Sequence, residues 1–347
     1  MRPRENPVLL GHEAAEAVFL SAWRSGRVPH AWLIAGPRGI GKATLAFRIA
    51  RFVLAGGDAG QGGSLAVAED RPVFRRVASG GHSDLLTLSR DLAGDRPKTS
   101  IEVDAVRAAG DFVHLTAAEG EWRAVVVDSA DELNLNAANA LLKILEEPSD
   151  NTLILLVSHS PGRLLPTIRS RCCRLPLDRV PDDAMREILT RGGAGAGLGD
   201  LARLLAVAEG SPGRAFALLE AGGLELLDTV VGFAATLPDL DLPALHEFSD
   251  RLARRDAEPA YRTAMQLFLW WIARIARAGA DGGLAGGEIV EGEAETASKI
   301  AARAGLDRLA ALWEKCARLI DRAESVNLDR KQVVLGAFRQ LQSAMRV

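Results

Sequence analysis

Along the first half of the chain, short apolar runs alternate with stretches in which apolar positions recur every three to four residues. That alternation predicts an α/β domain on a largely parallel sheet. Ala31–Ala35, Asp84–Leu88, Arg123–Asp128 and Thr152–Ser158 are the expected strands. The last two are continuous apolar runs, as in strands covered on both faces. Helices are expected after the Gly-rich turn Gly36–Gly41, over Val103–Leu115, and over Asn136–Glu147, where Pro148 stops the helix. In the last of these, Leu141, Leu142 and Leu145 form the inward stripe. The run GGDAGQGGS, Gly56–Ser64, reads as a flexible surface insertion.

After Arg174-Leu-Pro-Leu the pattern changes. Pro181-Asp182-Asp183 marks a helix start with Asp as its N-cap, and Gly192–Gly199 reads as a loop. Leu201–Glu209 and Gly213–Glu220 read as short helices, and beyond Gly222 no strand pattern survives. Leu309, Leu312, Trp313, Cys316, Leu319, Ile320 and Ala323 fall on one face of a long amphipathic helix. Three parts are therefore expected: α/β over 1–179, small and helical over 180–221, and all-helical over 222–347.

Composition narrows the function classes. At 347 residues, two or three domains fit, and 48% hydrophobic with 25% charged residues supports a real core. Lys and Arg number 42 against 45 Asp and Glu, a net charge of −3. That excludes a chain-wide cationic coat for nucleic acid, although not a local basic patch. Aromatics at 5%, with a single Tyr, argue against a stacking platform for single strands. Cys172, Cys173 and Cys316 form neither a disulfide framework nor a set with zinc spacing. The first residues lack the apolar core and cleavage site of a signal peptide, and Leu267–Ile272 is too short to span a membrane, so a cytoplasmic protein with no membrane partner is expected.

Three segments carry candidate chemistry. Gly36-Pro-Arg-Gly39-Ile-Gly41-Lys42-Ala-Thr44 is a phosphate loop in all but its last position, where Ala43 replaces the hydroxyl residue that ligates Mg²⁺. Its glycines let backbone N–H groups cradle phosphates at a helix N-terminus, Lys42 would reach the β- and γ-phosphates, and Thr44 would touch at most the α-phosphate. Val125-Val-Val-Asp128 is an apolar strand ending in a carboxylate, as a Walker-B element does, but Ser129 follows it. A hydroxyl of such high pKa cannot act as the base that activates water. Asp131 and Glu132 are expected to cap the next helix. In the basic cluster Arg163, Arg169, Arg171, Arg174 and Arg179, a solvated surface is the plain reading. Cys172 is expected to be a buried packing residue, and His82 a locally hydrogen-bonded one.

The string Asn-Ala-Leu-Leu-Lys-x-Leu-Glu-Glu-Pro148, followed by an apolar strand and Ser170-Arg171-Cys172, resembles the bacterial replicative clamp-loader family, AAA+ proteins of the DNA polymerase III holoenzyme. Arg27–Lys42, Gly81-His-Ser-Asp-Leu85, Val125–Asp131, Gly210-Ser-Pro-Gly-Arg214 and Val326–Val333 extend the resemblance from about residue 6 to 335, and within the family it points to the delta-prime branch. The resemblance implies an AAA+ domain (1–179), a helical lid (180–221) and a helical collar that oligomerises (222–347). It also implies a subunit with no intrinsic ATPase or polymerase activity, which joins motor (gamma/tau) and delta subunits to load a sliding clamp on primer-template DNA. By the same resemblance, Arg171 serves the ATP site of a neighbouring subunit in trans, and Arg214 is a sensor residue. With Gly36, Gly39, Gly41, Lys42, Thr44 and Asp128, Arg214 would complete a degenerate ATP or ADP site without turnover. Many relatives carry a four-cysteine zinc module between the phosphate loop and the His-Ser-Asp-Leu segment. No cysteine occurs between Ala43 and Gly81, so no zinc is expected. The alternatives are a hydrolysing gamma/tau-like motor subunit or another AAA+ nucleotide switch.

Overall fold

Four of the sheet's strands arise where the apolar runs lie: β1 (Ala31–Ala35), β2 (Leu85–Leu88), β3 (Arg123–Asp128) and β4 (Thr152–Ser158). The computed structural model describes residues 2–57, 64–90, 100–193, 197–326 and 328–345. A fifth strand, β5 (Cys173–Pro176), was not evident in the pattern. Only Leu175 is buried in it, so its apolar signature is one residue long. Its parallel pairing with β1, Trp32 opposite Cys173 and Ile34 opposite Leu175, is what makes it a strand. All pairings are parallel, in the order β2-β3-β4-β1-β5. The insertion read at Gly56–Ser64 lies mostly outside the described residues, at 58–63.

The chain divides into two compact units, Met1–Gly192 with Gly210–Gly213, and Gly193–Glu209 with Arg214–Val347. In the first, strand alternation sends successive side chains to opposite faces. Trp32, Ile34, Val126 and Leu155 join one core with Phe19 of α1 (Glu13–Arg24), Leu45, Ile49 and Phe52 of α2 (Lys42–Leu54), and Phe74 of α3 (Pro72–Ser79). Leu33, Val125, Val127 and Leu156 join the other. There they meet Val106 and Val113 of α4 (Val103–His114), Leu141, Ile144 and Leu145 of α5 (Leu135–Glu146), and Ile168 of α6 (Pro166–Arg171). Leu142 is only partly buried at the edge of that core. The helix α7 (Asp182–Arg191) also belongs to this unit; Pro181 holds its N-cap position, so the expected Asp cap is instead an acidic first turn.

Two buried arginines on α2 fix the path of the first residues. The Arg51 guanidinium donates to the carbonyls of Arg4 (3.0 Å) and Asn6 (2.8 Å) and stacks over Phe74. Arg48 donates to Pro7 O at 2.6 Å and pairs with Glu16.

Among its described residues the second unit holds helices and no strand: α8 (Leu198–Ala208), most of α9 (Pro212–Glu220), α10 (Gly223–Ala235), α11 (Leu242–Ala253), α12 (Glu258–Asp281), α13 (Glu293–Ala304), α14 (Leu306–Val326) and α15 (Arg330–Met345). Phe233, Phe248, Phe268 and Phe338 pack in its core. Glu293 is buried and accepts from Trp271 Nε1 (3.0 Å) and Arg274 Nε (2.9 Å), so its charge is paired. On α14, Leu309, Leu312, Cys316, Ile320 and Ala323 face inward as expected, but Trp313 is 41% exposed. The 3.6-residue period turns it just past the edge of the apolar stripe. Among the described residues no helix is long and apolar enough to cross a membrane.

Candidate functional site

The strand order puts the carboxyl ends of β1, β4 and β3 side by side, and the loops that follow β1 and β3 meet there. This is where open α/β sheets bind ligands. The turn after β1 depends on glycine. A Cβ on Gly36 would lie 2.2 Å from Leu177 O, and Gly41, the N-cap of α2, has φ +106°. Gly36 N–H donates to Ser158 O at 3.3 Å, which ties the turn to β4.

The carbonyls of the loop are held one after another. Lys42 Nζ donates to Pro37 O, Ser211 Oγ to Arg38 O (3.0 Å), and Gly213 N–H to Gly39 O (2.9 Å). Nε2 of His12 donates to Ile40 O at 2.7 Å. A peptide whose carbonyl is held outward turns its N–H the other way, which is the arrangement that cradles a phosphate. Lys42 is itself buried. Burial pushes its pKa down to about 8, against the pull of Asp131 and Asp128, while Arg38 adds to the lowering. Thr44 is buried on α2 and Ala43 offers no oxygen.

At the end of β3 the catalytic carboxylate position holds Ser129, buried, with its hydroxyl donating to Asp131 Oδ2 at 3.1 Å. Asp131 does not cap α5, contrary to the sequence expectation. Its carboxylate also accepts from Ser158 Oγ (2.8 Å), His159 N–H (2.5 Å) and Ser160 N–H (3.2 Å), which clamps the end of β4. Burial alone would raise the Asp131 pKa, but these hydrogen bonds carry it below the usual value. The cap of α5 is Asn134, which accepts from Ala137 N–H at 2.8 Å. A side chain one residue before the helix reaches the first-turn N–H groups, and Asp131 is too far upstream.

His159 was not singled out by sequence. It follows β4 directly, the position in such sheets where functional groups gather, and that placement was the available signal. Burial, then the charges of Lys42 and Arg38, push its pKa down to about 4, so its ring is neutral at pH 7. A cavity of about 490 Å³ opens here, lined by Arg2, Arg4, Arg90, Asp128, Ser129 and His159 among others. Glu132 pairs with Arg90 at 2.6 Å and stands 3.8 Å from Arg38.

The residues present fit the phosphates of a nucleotide but not its turnover: Ala43 withholds the hydroxyl ligand to Mg²⁺, and Ser129 stands where a carboxylate would activate water. Among the described residues no cluster of three or more His, Cys, Asp or Glu can hold a metal ion. His82 is buried and its Nδ1 accepts from Asp84 N–H at 3.2 Å, a local bond as expected.

Gly36, Gly39, Gly41, Lys42 and Asp128 thus come together in the first unit. Arg171 ends α6, where its side chain is 35% exposed, pairs with Glu146 at 2.6 Å and donates to Thr167 O at 3.0 Å. Beside it, burial pushes the Cys172 thiol up to about 11, the state of an inert packing residue. Arg214 belongs to the second unit, where it pairs with Glu209 at 3.4 Å and lies over the Trp270 ring.

Residues 11–181 match the family model described as DNA polymerase III, delta subunit. A DNA polymerase III subunit delta' from Pseudomonas aeruginosa is 42% identical over 183 residues, 53% of this chain and 53% of that protein. A DNA polymerase III subunit gamma/tau from Mycobacterium bovis is 31% identical over 193 residues, 55% of this chain and 31% of that protein. A DNA polymerase III gamma subunit-related protein from Thermotoga maritima aligns with 94% of this chain and 100% of its own, at 17% identity and a TM-score of 0.43. The chain spans about half the length of the curated delta' relatives first matched.

Proposed function

We infer, from the match of residues 11–181 to the DNA polymerase III, delta subunit model and from the likeness to subunit delta' proteins, that this protein is a non-hydrolysing subunit of a clamp loader. Its work is to assemble with gamma/tau-type motor and delta-type subunits, in the cytoplasm, so that a sliding clamp is loaded on primer-template DNA. The observation that carries this reading is Ser129, whose hydroxyl donates to Asp131 at the position where a hydrolysing enzyme of this architecture keeps its catalytic carboxylate.

Gly36, Gly39, Gly41, Lys42 and Thr44 would hold the phosphates of ATP or ADP, with Asp128 beside them and Arg214 as the sensor. A bound nucleotide would supply charge and shape there, and at the base position Ser129 offers no carboxylate to activate water. The division into AAA+ domain, lid and collar belongs to the same reading. Chemistry enters through Arg171. Its guanidinium is planar and always charged, so it can fork onto γ-phosphate oxygens held by a neighbouring subunit and stabilise the charge that develops in phosphoryl transfer.

The test is steady-state ATP turnover by the purified chain, alone and reconstituted with motor and delta-type subunits. The chain alone is expected to stay far below the ~1 s⁻¹ low end of ordinary enzymes. The complex is expected to elute as one assembly and to load the clamp. Turnover by the isolated chain that Lys42→Ala abolishes would assign it instead to the motor subunits.

A further inference from the structure

Arg171 does not stand free at the end of α6, and its partner is a residue to which no role has been given. The guanidinium is held at two points, NH2 against Glu146 Oε1 at 2.6 Å and NH1 against the Thr167 carbonyl at 3.0 Å. Glu146 is the last residue of α5, and that helix end is itself pinned. His30, just before β1, donates its ring N–H to Leu145 O at 3.0 Å, and Leu145 and Ile168 are both buried in the same core. A carboxylate at a helix C-terminus is disfavoured by the helix dipole, so Glu146 lacks a local reason to be there. The compensating charge is Arg171.

We propose that Glu146 is the positioning residue for Arg171, presetting the plane and reach of the guanidinium before it meets a neighbour's γ-phosphate; this rests on the trans role proposed above. An arginine has five N–H donors. With one spent on Glu146 and one on Thr167 O, three remain, and at 35% exposure they can face outward. Two anchors on one rigid plane remove most of the side chain's rotational freedom in advance. Groups that meet developing charge gain rate from such preorganisation.

The experiment compares complexes reconstituted with wild-type chain, Glu146→Ala, Glu146→Gln, Arg171→Ala and the double variant Glu146→Ala/Arg171→Ala. Clamp- and DNA-stimulated ATPase is read as kcat and KM, with assembly by size exclusion and the thermal midpoint measured alongside. The pair is exposed, so the midpoint should move by no more than about 2 °C. Glu146→Ala is expected to lower kcat of the whole complex by about twofold or more with KM for ATP little changed, because a misplaced group costs transition-state stabilisation at one site among several. Glu146→Gln should recover most of the loss, since its carbonyl oxygen accepts the same N–H. The double variant should match Arg171→Ala, because one residue acts through the other.

A wild-type or faster rate for Glu146→Ala, beside an impaired Arg171→Ala, overturns the positioning role and leaves the trans role standing. Glu146→Gln no better than Glu146→Ala, or a double variant worse than Arg171→Ala, overturns it too. An unimpaired Arg171→Ala complex removes the trans role and this proposal with it. Should Glu146→Ala fail to assemble, Glu146→Ser, equally too short to reach the guanidinium, is read in its place.

Discussion

The phosphate loop and the Arg171 corner are two charged regions of one sheet domain, and they are finished in opposite ways. In the loop the carbonyls of residues 37–40 are all occupied, and Lys42 and Ser129 are both buried. At the corner, a cation and its carboxylate stand 35% and 48% exposed. Polar groups that answer only to their own chain can be buried and fully satisfied, and that makes them matter for stability. A group that must meet another chain has to keep unspent donors in the open, where its ion pair is worth little to folding. Substitutions at the two places should therefore fail in different assays.

The largest expected effect is kinetic. Arg171→Ala should cost the neighbouring ATP site about 10³–10⁵ in rate, the range for a trans arginine in phosphoryl transfer, diluted in the complex by sites it does not serve. The same variant should lose less than about 1 kcal/mol of stability in chemical denaturation. Intact ATPase in an assembled complex would erase the contrast.

Asp131→Ala should show the reverse. Removing a carboxylate that accepts from Ser129, Ser158, His159 N–H and Ser160 N–H should cost about 3 kcal/mol, a fall of about 6–12 °C in thermal midpoint. Complex ATPase at low temperature should persist. A midpoint within 2 °C of wild type would contradict the clamp.

A smaller effect follows from His159. Its folded pKa of about 4 lies below the ordinary imidazole value of 6.5, so between these values the unfolded chain binds a proton that the folded chain refuses. Stability should therefore fall as pH drops from 6.5 to 4, by at most about 3 kcal/mol, and be unaffected by this group above 6.5. Denaturation of His159→Gln across that window should show a flatter profile, and parallel profiles would refute it. The smallest expected change is none: Lys42→Ala should leave ATPase of the complex as it was. A loss rivalling that of Arg171→Ala would restore the loop to the chemistry.

What the sequence made legible follows from how local each signal is. β1, β3 and β4 are visible as runs because burial on both faces demands apolar residues at every position. β5 is not, because an edge strand with one buried side chain owes its existence to β1. The phosphate loop and Ser129 are contiguous motifs. Asp131 misleads for the converse reason: two acidic residues before a helix look like a cap, and only the approach of β4 reveals another set of donors. His159 and Glu146 find their significance through partners far away in the chain, at Lys42 and Arg171. No spacing rule encodes such meetings.

The two buried arginines of α2 have a consequence for mutational tolerance. Arg51 and Arg48 grip the segment 4–7 only by its carbonyl oxygens, a feature every amino acid shares. That grip is indifferent to the side chains it passes, although Asn6 adds a hold of its own, its Oδ1 accepting from Val8 N–H at 2.9 Å. A one-residue insertion or deletion within 4–7 is different, since it brings the wrong carbonyls to both guanidinium forks at once. Nor would lysine substitute at position 51, because an ammonium cannot hold two acceptors in the plane of a fork. For the two guanidinium forks, the spelling of this stretch matters little and its length a great deal.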